Sequence, residues 1–233
     1  MTMFSSLWFS PAIVTGTNTA NASSTSNVAV HTFSGQSLGA ADGSRIIAVA
    51  VGAGDNAQNR TITSVTVGGE DLTKRIAANN STPTGPVENF AAEIWSGAIP
   101  SGTTADIVVT MSGIIGTKRG VAISVHSLVG AVAAAPSATA TDNDVGGSSS
   151  PLELNVNTQE GGYVIGYGVS FKVAPSAGTW SGLTELTDLM TGNMNQTAAN
   201  YSPTSNETPR TITLAFTLGS HGQAGVAASW FPA

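Results

Sequence analysis

Three histidines, His31, His126 and His221, are the natural first candidates for acid–base or metal chemistry, because imidazole alone titrates near neutral pH without help. They stand far apart, with no HxH or HExxH spacing to bring two rings onto one metal ion. His126 follows the apolar row Val121, Ile123 and Val125, so it points to the opposite face of that strand and reads as an ordinary sheet-surface histidine. The abundance of serine is compositional, and no GxxxxGK[ST] loop cradles a phosphate. The chain has no cysteine, which excludes a thiol nucleophile, thiolate metal sites and a disulfide framework.

Carboxylates come next, since glycoside hydrolysis needs only two acids across a cleft. Glu70 and Asp71 are adjacent after Gly68-Gly69 and read as closing a hairpin between 61–67 and 72–77. Glu93 lies on the same side of its strand as Trp95, and a ring beside a carboxylate is suited to stacking on and accepting from a sugar. Glu93, Trp95, Trp180 and Tyr201 are the candidate ligand surface; a sugar-binding reading expects Trp95, Tyr163, Tyr167, Trp180 or Tyr201 to line an exposed strip. The alternative is that Trp95 is a core aromatic with Glu93 near a sheet edge. No second positioned acid accompanies Glu93, so catalysis is not expected. Asp142-Asn143-Asp144-Val145-Gly146-Gly147 has the oxygen ligands and glycine that open a calcium loop, with Asp142 and Asp144 as candidate ligands. It lacks the later bidentate Glu at EF-hand spacing, and a polar linker explains it equally. No cofactor is expected.

The elements that would position these residues are strands. Leu152, Leu154 and Val156 alternate with polar residues, as do Ile212, Leu214, Phe216 and Leu218, and Ala105, Ile107, Val109 and Met111. Arg45–Val51 and Tyr163–Val169 are more continuously apolar and are expected centrally. Further strands are expected at 27–33, 61–67, 90–96, 119–128, 183–190 and 224–231, with polar loops at 79–88 and 201–209. Three segments recur in order: 43–51 resembles 161–169, 104–110 resembles 211–217, and 120–124 resembles 225–229. The pattern predicts an all-β antiparallel sandwich, jelly-roll-like and internally duplicated. Its parts are an N-terminal arm (1–24), a first half (25–131), a linker (132–150) and a second half (151–233), the halves forming either two sandwiches or a single one.

Composition narrows the function classes. Only 9% of residues are charged, against about 25% in a typical domain, while 56 of 233 are Ser or Thr, so hydroxyls must keep the surface wet. A net charge of −6 with eight basic residues gives no footprint for nucleic acid or an acidic membrane surface. Residues 1–41 carry no Asp, Glu, Lys or Arg at all, and Met3, Phe4, Leu7, Trp8 and Phe9 gather apolar area there. The missing basic n-region and the interrupted apolar run do not make a signal peptide, so the chain reads as made in a cytoplasm and not exported by the usual route. The apolar cluster reads equally as an assembly arm for a neighbouring subunit and as a segment packing on its own domain.

Thr15-Gly16-Thr17-Asn18-Thr19, the strand Ile46–Val51, Val65-Thr66-Val67-Gly68-Gly69-Glu70-Asp71-Leu72, Ala92-Glu93-Ile94-Trp95 and Ala227-Ala228-Ser229-Trp230-Phe231-Pro232 occur in this order. In that order they resemble a β-sandwich family of bacteriophage structural and bacterial surface proteins, mostly of uncharacterised function. The resemblance implies a jelly-roll-like scaffold and no agreed catalytic residues. The expectation is a non-enzymatic virion protein, a phage capsid decoration or other accessory protein, assembled in a host cytoplasm. Its partners would be capsid subunits and copies of itself, as a symmetric homo-oligomer such as a trimer. The alternative is a carbohydrate-binding or adhesion module of a phage fibre or bacterial surface.

Overall fold

Alternating hydroxyl and apolar side chains favour strands over helices at nearly every position, and the computed structural model is all-β. It describes residues 12–55, 60–80, 89–115, 119–144, 150–171, 177–216 and 222–233. The first half contains β1 (Thr15–Ser24), β2 (Val30–Ser37), β3 (Ile46–Asp55), β4 (Ile62–Val67), β5 (Glu70–Asp71), β6 (Thr73–Asn80), β7 (Asn89–Ala98), β8 (Thr104–Met111) and β9 (Val121–Val129). The second contains β10 (Ala138–Asp144), β11 (Leu152–Glu153), β12 (Val156–Thr158), β13 (Tyr163–Phe171), β14 (Gly178–Ser181), β15 (Thr184–Thr191), β16 (Met194–Tyr201), β17 (Glu207–Arg210), β18 (Thr213–Phe216) and β19 (Gln223–Trp230).

Each half builds a sandwich of one five-stranded sheet and one smaller outer layer. The five-stranded sheets run β1-β9-β3-β7-β6 and β10-β19-β13-β16-β15, so the first strand of each half lies at an edge beside the last, and β3, β7 and β6 occupy the places of β13, β16 and β15. The outer layers are β2-β8-β4-β5 in the first half, and β11-β18-β14 with β12-β17 in the second. The three recurrent segments of the sequence fall on β3 and β13, β8 and β18, and β9 and β19. Strand order therefore repeats as the sequence pattern does.

The two sandwiches stand back to back, with their five-stranded sheets facing each other across one shared core. Ile46, Ala48, Ala50, Phe90 and Ile94 of the first half pack there against Tyr163, Ile165, Val169, Val226 and Trp230 of the second. β6 meets β10 and β19, while β15 meets β1 and β9. With β6 equivalent to β15, β1 to β10 and β9 to β19, these are the reciprocal contacts of a twofold interface, made within one chain. Opposite faces of the same strands fill two further cores, one with Val49, Trp95 and Val109, the other with Leu152, Val164 and Leu214. Antiparallel sheets usually keep one wet face. Here the middle two layers are covered on both sides, and every residue of β3 and of β13 is buried. That is why these two strands lack alternation.

Close approach across the seam selects small residues. A Cβ placed on Gly52 would lie 2.3 Å from Gln196 Oε1 and 2.7 Å from Val169 Cγ1. Neither neighbour is free to retreat, because the Tyr167 hydroxyl donates to Gln196 Oε1 and Val169 is central in β13. Gly52→Ala is expected to destabilise by about 2 kcal/mol, at the scale of core overpacking, although Ala ordinarily suits a strand better than Gly. Urea unfolding would show this as a lower midpoint, and an unchanged or raised midpoint would refute the close contact.

Several strands were not expected from sequence. β1 lies in the segment read as an arm, β10 in the segment read as a linker and β17 in a stretch read as a loop; β16 was not anticipated. The single strand expected from Leu152 to Asn157 is two, interrupted where Asn155 Oδ1 accepts the amide of Ile212. Met3, Phe4, Leu7, Trp8 and Phe9 lie outside the described residues.

Candidate functional site

β7 is the second strand from the edge of its sheet, and Glu93 and Trp95 project from it toward the outer layer of the first half. Both are buried. Glu93 Oε1 accepts from Lys74 Nζ at 2.9 Å and Oε2 accepts from Trp95 Nε1 at 2.7 Å. Lys74, the cross-strand partner of Trp95, also donates to the Ile62 carbonyl at 3.3 Å and lies 5.0 Å from the indole centroid. Burial pushes the Glu93 carboxyl above its ordinary range, against the opposing pull of Lys74 and Trp95. The cluster is an internally satisfied ion pair with its ring turned inward.

The exposed aromatic strip does not form. Trp95, Tyr163, Tyr167 and Trp180 are all buried, because the strands that carry them have a covering layer on the side where each ring points. Trp180 Nε1 donates to Thr197 Oγ1 at 2.9 Å, and its ring occupies the space a side chain at Gly166 would need. Tyr201 is half-buried, with the Arg210 guanidinium 3.6 Å from its ring centroid. Arg210 is in turn fixed by Glu207 and by the Gly182 carbonyl, at 2.5 and 2.7 Å. The candidate ligand residues are thus dispersed over two sandwiches and presented to no common surface.

Lys74→Met would leave the Glu93 carboxylate buried with the indole as its remaining donor. A loss of about 2 kcal/mol is expected at neutral pH, below the range for fully buried pairs because Lys74 is partly exposed. A group whose folded pKa is raised carries a penalty that grows as pH rises through it and vanishes below its unfolded value. The Lys74→Met deficit should therefore shrink on acidification toward about pH 4.5, the ordinary Glu value, as paired urea titrations would report. A pH-independent deficit would contradict the ion pair.

His126 was expected on a sheet surface, and that expectation is overturned. The second sandwich covers the face to which it points, so it is fully buried at the seam. Asn18 Nδ2 donates to Ser124 Oγ at 2.9 Å, Ser124 Oγ lies 3.1 Å from His126 Nε2, and His126 Nδ1 lies 3.3 Å from the Tyr163 hydroxyl. Asn200 Nδ2 closes the row, donating to that hydroxyl at 2.6 Å. A neutral imidazole satisfies the row in either tautomer: Ser124 donates to Nε2 while Nδ1–H donates to Tyr163, or Tyr163 donates to Nδ1 while Nε2–H donates to Ser124. Burial pushes the His126 pKa down to about 3. Ser124 beside His126 has the spacing of a nucleophile and base, but both are buried, and an imidazole with so low a pKa is a weak base at neutral pH. The row's role is to join β1 and β9 to β13 and β16.

His31 is also buried, with Nδ1 3.0 Å from Ser24 Oγ, and His221 lies outside the described residues. Asp142 and Asp144 lie on β10. Both Asp142 oxygens accept backbone amides, of Asn143 and Glu153, each at 2.8 Å. Among the described residues, no group of three or more His, Asp or Glu side chains is placed to hold a metal ion. Residues 145–147 of the calcium-loop motif are not among them. Arg45, which no motif singled out, is the largest buried polar group. Its guanidinium donates to the carbonyls of Ala40 and Ile99 at 2.8 Å each and of Ser101 and Gly102 at 2.6 and 2.8 Å, clamping two loops together.

No protein-family model matches the chain, and no curated protein does. Among solved structures, it is similar to the C-terminal domain of the AgI/II polypeptide BspA of Streptococcus agalactiae. That similarity has 9% identity and a TM-score of 0.19, over 79% of this chain and 75% of that one. It is too slight to bear on fold or function.

Proposed function

We propose that this chain is a non-enzymatic structural module of a virus particle, a phage capsid decoration or other accessory protein. The observation that carries the reading is where the polar chemistry sits. Ser124, His126, Glu93 and Arg45 spend their hydrogen bonds inside the fold, and the rings suited to stacking on a ligand are turned into cores. What remains outward is a hydroxyl-rich surface with few charges, suited to contacts with other subunits. In mechanism, two sandwiches joined through a covered seam present fixed outer faces, and many weak contacts repeated over a lattice hold each copy in place.

Of the five rings on which the sugar-binding alternative rests, four are buried and Tyr201 is half-buried against Arg210. Mass spectrometry of purified, lysis-released particles tests the proposal. The chain is expected in stoichiometric amounts that survive density-gradient purification, and its absence from particles would remove this function.

A further inference from the structure

We propose that the side of the molecule formed by β1 and β2 is where a second copy of this chain docks, the two copies being related by a twofold axis. The inference rests on reading the chain as an assembly module, and it names the first contact of that assembly. β1 is ten residues long and, among the described residues, has β9 as its one ladder partner. β2 stands beside it in the next layer and is likewise terminal, bonded to β8. Among the described residues no further strand pairs with their outer edges, and proteins ordinarily guard such edges with charge, proline or shortness.

The other edges of this chain are guarded in that way. β5 is Glu70-Asp71, β6 carries Lys74 and Arg75, β10 carries Asp142 and Asp144, β15 carries Glu185 and Asp188, β17 carries Glu207, Pro209 and Arg210, and β11, β12 and β14 have only two, three and four residues. β1 and β2 have no Asp, Glu, Lys, Arg or Pro. Exposed apolar side chains gather on the same side. Val30 of β2 is 49% exposed, Val28 just before it is 39% and Ile114 is 57%. The Ile115 amide donates to the Val28 carbonyl, placing Ile114 beside Val28. Ile13, 60% exposed, immediately precedes β1 at its other end.

Charge selects the occupant. In antiparallel pairing across a twofold axis, a strand meets its own counterpart, so any charge on it lies near a like charge. An edge kept wholly neutral meets that condition, whereas a partner of different sequence would favour complementary charges. Glu185 and Asp188 on the adjacent β15 bound the neutral surface.

The test is the oligomeric state of the intact chain, by sedimentation velocity and native mass spectrometry over a concentration series. A dimer is expected. Thr17→Lys with Ser23→Lys, both at exposed β1 positions, should weaken it at least about tenfold with unchanged circular dichroism, as should Val30→Lys alone. Glu70→Lys, at a guarded edge, should leave it intact. If the double variant fails to fold, Val30→Lys decides. A wild-type monomer throughout the series, a trimer, or a dimer indifferent to all these lysines would overturn the proposal. Particle composition is a separate readout: a lysine-sensitive dimer absent from particles keeps this interface and removes the function, and a monomer found in particles does the reverse.

Discussion

Arg45→Met is expected to lower the free energy of unfolding by about 4 kcal/mol. Methionine fills similar volume, so the effect isolates hydrogen bonding from packing. The guanidinium reaches carbonyls in two segments, 38–40 and 99–102, and supplies donors that their backbones do not find elsewhere in the clamp. Each buried carbonyl left without a donor costs about 1–3 kcal/mol, and water reaching the loops recovers part of the total. Burial lowers the Arg45 pKa, with Asp42 opposing, but the guanidinium stays charged throughout the accessible pH range. Arg45→Lys should recover little, because one ammonium cannot span the fork of acceptors. Urea denaturation measures the loss, and a Met variant within about 1 kcal/mol of wild type would show that the clamp is dispensable.

Acid should destabilise the protein through His126. In the fold its pKa is about 3, against an ordinary 6.5 in the unfolded chain. Between these values the unfolded chain binds a proton that the folded chain does not. The stability present above about pH 6.5 is therefore lost as pH falls toward about 3, at close to 1.4 kcal/mol per pH unit. His31, also lowered by burial, adds to the same slope. Glu93 opposes it, since acid relieves the penalty of its buried carboxylate. His126 should prevail, because it is wholly buried and has no anionic partner in its hydrogen-bonded row. Unfolding free energies over a pH series should show the slope in wild type and a markedly smaller one in His126→Asn. An equal slope in both proteins would place the acid sensitivity elsewhere.

How much of this could be read from sequence depended on which face of a strand was informative. β8 and β18 sit in outer layers with one wet face, so Ile107 and Val109 fall between Asp106 and Thr110, Leu214 and Phe216 fall between Thr213 and Thr217, and both rows were legible. β3 and β13 were placed centrally because apolar runs without alternation need cover on both sides. β1, β10 and β16 were missed for one shared reason. The facing sheets approach closely along these strands, so their inward positions are held by small or polar residues such as Gly16, Asn18, Asn143, Gln196 and Ala198, which look like loop composition in a chain rich in Ser, Thr and Gly. The same closeness hid the His126 row. Its members are spread from residue 18 to residue 200, and only the back-to-back arrangement of the halves brings them together. The Glu93–Trp95 spacing was read correctly as a shared face, but period two cannot say whether that face is wet, and the outer layer covers it.

The seam is the feature on which the rest depends, and native-state hydrogen exchange on the intact chain measures it most directly. If the facing sheets form one body, the amides of β3, β9, β13 and β19 exchange only through global unfolding, with one common free energy in both halves. Exchange from either half through its own lower-energy opening, while the other stays protected, would contradict it.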